Sequence, residues 1–190
     1  MLQVASKRWW LLALCGVFYA ITSVIYFSHA EHGFMSQRSV VFVGKLALAA
    51  GACTIAAGIW RSAKDTSWLL VLNGLSLGVL GLVFNGVFGF RISFRTVALL
   101  IIMMAGSIGI LELLSARNLR RQHYLTDGWA LGFAGVASLG FALIFLVLGF
   151  GLVKIQPGSH PDLLWLGSYF AFGAICMLAL VLRLYRPLRT

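Results

Sequence analysis

The sequence predicts an all-α, polytopic membrane protein with six transmembrane helices, arranged as three parallel two-helix hairpin repeats. Three observations carry that expectation. Hydrophobic residues make up 61% of the 190-residue chain and charged residues only 11%, against about a quarter charged in soluble domains. The apolar runs reach the ~20 residues needed to cross a bilayer at ~1.5 Å rise per residue. They are uninterrupted, without period-two alternation, so helices rather than barrel strands must satisfy their backbones in lipid.

The expected spans cover residues 9–28, 40–60, 68–90, 96–116, 129–153 and 163–182. The first follows Lys7-Arg8 and ends at Ser28-His29-Ala30, which mimics a secretory signal with its cleavage site. Its apolar run, Trp9 to Phe27, exceeds the ~7–15 residues of a signal core, so it is read as a helix that stays. The second carries Lys45, about five residues or ~8 Å below its outer end. The third contains Asn73 and Asn85, polar groups able to bond across helices. The fourth contains Glu112 five residues before Arg117. Before the sixth, Pro157-Gly158 marks a turn and Pro161 suits a helix start.

Orientation follows from the cations. With the N-terminus inside, cytoplasmic segments hold Lys7, Arg8, Arg61, Lys64, Arg117, Arg120, Arg121, Arg183, Arg186 and Arg189; the other side holds Arg38, Lys45, Arg91, Arg95 and Lys154. That bias places both termini in the cytoplasm. The net charge of +10 then belongs beside anionic headgroups, and a nucleic-acid partner is not needed. The expected partner is the lipid bilayer, with a homo-oligomer or another membrane protein left open.

A repeat underlies the spans. Trp10, Trp68 and Trp129 recur 58 and then 61 residues apart; leucine follows each at plus two (Leu12, Leu70, Leu131) and glycine at plus six (Gly16, Gly74, Gly135). An indole at the interface fixes helix depth. Glycine ~9 Å deeper clears space for a neighbouring helix, a main source of association where lipid removes the hydrophobic drive. The even spans echo one another through Gly51, Gly106 and Gly173, with Arg61, Arg117 and Arg183 ten or eleven residues later. The unit is a hairpin covering about 9–61, 68–117 and 129–183 within one membrane domain, 1–190. Parallel copies differ from the inverted repeats of many alternating-access carriers.

This triplication, with Trp-x-Leu-x-x-x-Gly opening the odd spans and "GILELLSA" at Gly109–Ala116 before Arg117, resembles the HdeD family of bacterial inner-membrane proteins. The resemblance runs from Trp9 to Arg186. It implies an inner-membrane location and an association with acid or envelope stress, and it supplies no catalytic residues. Phe172–Arg183 and Ala50–Arg61 lack a counterpart of Glu112.

The candidate functional residues are those whose chemistry is costly or titratable where they lie. Lys45 is either a snorkelling lysine or a cation facing the bundle axis, paired with Glu31 or Asp162 or attracting an anion. Glu112, whose burial penalty protonation or pairing with a neighbouring unit's Arg would reduce, is either a structural bond between hairpins or a proton acceptor on a conducting path. Glu31, His32, His160 and Asp162 are expected in outer loops, where imidazole (~6.5) and carboxyl (~4) groups change charge across an acid challenge. Gly74-Leu75-Ser76-Leu77-Gly78 fits GxSxG, but a nucleophile elbow needs strand–turn–helix context and a histidine, and no histidine falls in the core of a span. No enzyme, catalytic residue, cofactor or metal is expected. Cys15, Cys53 and Cys176 fall in three separate spans and read as small buried hydrophobes. The expected function is a non-enzymatic contribution to acid or envelope stress tolerance; the alternative is a proton or small-solute channel or transporter with Lys45 and Glu112 at opposite mouths.

Overall fold

A computed structural model describes residues 9–32, 35–60, 67–87, 93–121, 125–151 and 159–185. Within them lie six α-helices and no strand: α1 (Trp9–Ala30), α2 (Gln37–Trp60), α3 (Ser67–Phe84), α4 (Phe94–Arg121), α5 (Leu125–Phe150) and α6 (His160–Tyr185). Five contain stretches long and apolar enough to cross a membrane: Trp10–Ala30, Gln37–Ile59, Phe94–Arg117, Leu131–Phe150 and His160–Ala179. Large apolar side chains cover their outward faces, among them Val24, Phe133, Leu143 and Ile175, which suits lipid rather than water.

The third helix is shorter than the sequence suggested. It ends at Phe84, so the expected span to residue 90 is corrected. The apolar run continues, but Asn85-Gly86 stops the helix. Gly86 takes a left-handed φ of 71°; its N–H donates to the Val83 carbonyl and the Val87 N–H to the Leu82 carbonyl. That pair of bonds is the Schellman arrangement, which favours glycine because a Cβ is disfavoured in the left-handed region. At 18 residues the helix is ~27 Å long, a little under the ~30 Å of a bilayer's hydrocarbon.

The closest helix pairs are α2–α3, α4–α5 and α1–α6, with α3–α4 and α1–α2 also packed together. Two of the close pairs are seams of glycine against glycine. A methyl group on Gly51 would lie 2.8 Å from the Gly74 carbonyl oxygen, and one on Gly81 would lie 2.7 Å from that of Gly44. Likewise a methyl on Gly135 would meet the Gly109 carbonyl at 2.9 Å. The α1–α6 pair is antiparallel and built differently, with rings set into glycine notches: Tyr19 covers Gly173 and Phe27 covers Gly167. The Ser23 hydroxyl donates to the Gly167 carbonyl at 2.9 Å. Helices α5 and α6 meet through aromatic rings, Phe141 and Phe145 against Tyr169, and Phe141 against Phe172.

The closest pairs therefore join helices of different expected units. The plus-six glycines explain why: Gly16 faces Met177 and Leu178 of α6, Gly74 faces Gly51 and Ile55 of α2, and Gly135 faces Gly109 and Leu113 of α4. In the even helices, Gly51 and Gly173 make such contacts, but Gly106 has open space where its side chain would be; the packing glycine of α4 is Gly109. Trp10, Trp68 and Trp129 are exposed at the starts of their helices.

The turn between α1 and α2 is tied by a histidine the sequence reading passed over. His29 Nδ1 donates to the Ile25 carbonyl at 2.9 Å, and its Nε2 lies 3.0 Å from Ser39 Oγ. Ser36 caps α2 by accepting the Ser39 N–H.

Candidate functional site: a half-buried carboxyl beside a cavity

The most distinctive chemistry gathers around Glu112. Gly109 of α4 and Gly135 of α5 bring the two backbones into contact. Residues three apart share a helix face, so Glu112 and Ser138 are carried to the same seam. There Ser138 Oγ donates to Glu112 Oε2 at 3.1 Å. On α6, Cys176 stands three residues after Gly173 and lies beside the carboxyl group. Among the described residues no ion pair neutralises Glu112; Arg117, further along the helix, is exposed.

The pattern Gly-x-x-polar extends across the bundle. Gly16 precedes Tyr19, Gly51 precedes Thr54, Gly109 precedes Glu112, Gly135 precedes Ser138 and Gly173 precedes Cys176; Gly74 precedes the apolar Leu77. Thr54 uses its hydroxyl proton on the Ala50 carbonyl at 2.7 Å. The 3.3 Å contact between Cys15 and Thr54 is therefore a bond from the thiol to the Thr oxygen. Aligning the even helices on Gly51, Gly109 and Gly173 places Thr54, Glu112 and Cys176 at one position. Aligning on Gly106 hid that correspondence.

A cavity of about 40 Å³ opens beside Glu112. Side chains of five helices line it: Tyr19 from α1, Leu70 from α3, Ile108 and Glu112 from α4, Ser138 from α5, and Cys176 from α6. Tyr19 is 3% exposed and Asn73 of α3 is fully buried. The Asn73 amide lies near the Tyr19 hydroxyl, yet neither the hydroxyl nor either amide atom has a hydrogen-bond partner among the described residues. Buried polar groups are seldom left this way.

The other candidate residues lie elsewhere. Lys45 is exposed on the outer surface of α2. Glu31, His32 and His160 are exposed; His160 opens α6 instead of lying in a loop, and His32 Nδ1 donates to the Ser28 carbonyl at 3.2 Å. Asp162 is not a loop residue: it is 4% exposed in the first turn of α6, where the positive end of the helix dipole favours an acid, and it lies within electrostatic reach of Tyr26. Asn85 donates to the Gly81 carbonyl at 2.7 Å and rests against Gly44. Ser76 donates to the Leu72 carbonyl within α3 at 2.9 Å, so GxSxG here is a continuous helix. No cluster of three or more His, Cys, Asp or Glu with metal-binding geometry occurs among the described residues. Cys15, Cys53 and Cys176 are free thiols.

No family model, curated protein or solved structure matches the chain.

Proposed function

We propose that the chain is a non-enzymatic, multi-pass protein of a bacterial inner membrane, of the HdeD type, with both termini cytoplasmic, contributing to tolerance of acid or envelope stress. The observation that supports a structural rather than a conducting role is the pair of glycine seams. Backbones in contact at Gly51–Gly74 and Gly109–Gly135 leave no room for water between those helices. Such seams depend on close packing and not on hydrophobic drive, so they suit a helical body that persists in the bilayer. Lys45, exposed on α2, does not help to form a polar axis.

The test is survival of an acid challenge by bacteria expressing the wild-type chain or Gly135→Leu, which wedges the α4–α5 seam. Wild-type protection that Gly135→Leu abolishes is the expected result; no protection by the wild type overturns the reading. The cavity at Glu112 favours a second reading, conduction of protons or a small solute. Proton flux into proteoliposomes above that of empty vesicles, and altered by Glu112→Gln, establishes that reading instead.

A further inference from the structure

On the outer face of α2, full charges stand among exposed apolar side chains. Arg38, Phe42, Lys45, Ala49 and Ala52 follow one another at alternating steps of four and three residues, so they form one stripe along the helix. Arg38, Phe42, Lys45 and Ala52 are exposed, whereas Gly44 and Gly51 are buried on the face turned to α3. Among the described residues no carboxylate pairs with either cation. The glycine contacts also fix how α2 and α3 line up. Gly74 meets Gly51 and Ile55, and Gly81 meets Gly44 and Leu48. The pair is therefore antiparallel, with the start of α3 level with the end of α2 at Trp60. At its other end α3 stops at Phe84, beside Gly44, while α2 runs on to Gln37, ~10 Å further. A hydrocarbon core of ~30 Å measured from Trp60 reaches about residue 40 of α2, so Lys45 lies ~8 Å beneath that boundary. The backbone that leaves α3 at the same depth needs hydrogen-bond partners that hydrocarbon does not supply. A short helix is accommodated by local thinning of the bilayer and by snorkelling cations. Both bring lipid headgroups toward Lys45.

We propose that Arg38 and Lys45 form a docking site for an anionic phospholipid, with the phosphate held between the two cations and an acyl chain lying along Ala49 and Ala52. Two turns of helix, ~10.5 Å, separate the cations, a gap that two long, flexible side chains close around one phosphate. Lys45 at this depth is costly unless its ammonium meets an anion or the headgroup layer, and the phosphate supplies both. Two cations against one phosphate select a headgroup that adds no cation of its own, so the occupant is anionic and not zwitterionic. Below the cations, alanine side chains let an acyl chain lie close to the helix, as small residues do for a neighbouring helix. Free inorganic phosphate would meet the same cations without that contact. The inference rests on α2 spanning the membrane and does not depend on the stress-tolerance reading.

The test titrates the full-length protein in neutral detergent with phosphatidylglycerol, or with phosphatidylcholine of the same chains, and counts bound lipid by native mass spectrometry. The expected result is that the first phosphatidylglycerol binds about tenfold more tightly than the first phosphatidylcholine, the scale of two cations at a membrane surface. Lys45→Met and Arg38→Gln should each remove most of that preference, and Lys45→Arg, which keeps the cation, should retain it. Arg95→Gln, at an exposed cation in the first turn of α4, should leave it unchanged. Equal affinity of the wild type for the two lipids overturns the proposal, whatever the folding of the variants. An equal loss in Arg95→Gln means diffuse charge attraction and overturns the site. Displacement of the bound lipid by millimolar inorganic phosphate assigns the cations to free phosphate and overturns the lipid as occupant.

Discussion

Gly74 and Gly78 lie one turn apart on α3, and adding a methyl group to each should have opposite consequences. A Cβ on Gly74 would sit 2.8 Å from the Gly51 carbonyl oxygen, 2.9 Å from the Ile55 nitrogen and 2.7 Å from Ile55 Cγ1. Ordinary contact begins near 3.4 Å, so the backbones must part by about 0.6 Å. A gap of ~0.5–1 Å forfeits a quarter to a half of each dispersion contact along the seam. Overpacking of this kind costs about 1–3 kcal/mol. A Cβ on Gly78 would meet nothing within 4 Å, and alanine is the better helix former by up to ~1 kcal/mol. Reversible unfolding in lipid–detergent micelles titrated with dodecyl sulfate, followed by circular dichroism, should show Gly74→Ala destabilised and Gly78→Ala unchanged or stabilised. Equal losses for the two variants, or a larger loss for Gly78→Ala, would refute the assignment of the α2–α3 contact to this face of α3.

Gly86→Ala forces a side chain into a left-handed backbone, at about 1–2 kcal/mol; amide hydrogen exchange should accelerate at Gly86 and Val87, whose N–H groups close the α3 cap, while the middle of α3 stays protected. Ser138→Ala removes the hydroxyl bond to Glu112. A double-mutant cycle with Glu112→Leu should return a coupling of about 0.6 kcal/mol, typical of a hydrogen bond between membrane helices, and a coupling of zero would mean that the two side chains do not meet.

The membrane class and the number of helices were legible in composition and run length, because no soluble fold can solvate such a surface. The plus-six glycines were also legible as places where another helix approaches, backbone to backbone at Gly74 and Gly135 and against side chains at Gly16. The end of α3 carried a readable signal in Asn85-Gly86, yet the apolar Val-Phe-Gly-Phe beyond it outweighed that signal in a reading based on run length. Glu112 could be singled out as an acid in an apolar helix. Its partner could not, because Ser138 lies on another helix and serines are common in such segments.

What the sequence by itself determined was therefore local: helices and the small residues on their faces. These follow from each segment's own transfer and backbone energetics. Which helix meets which was decided only in the tertiary structure. Gly16, Gly74 and Gly135 each accept a helix from outside their own hairpin, and Gly109 rather than Gly106 faces α5. Three residues along a helix turn a glycine contact into a side-chain contact. The choice of glycine thus fixed that Glu112 meets Ser138 and Cys176, and that the Tyr19 ring covers Gly173. A linear pattern records that small residues are present; only the assembled bundle selects among them, because close packing is a property of two surfaces at once.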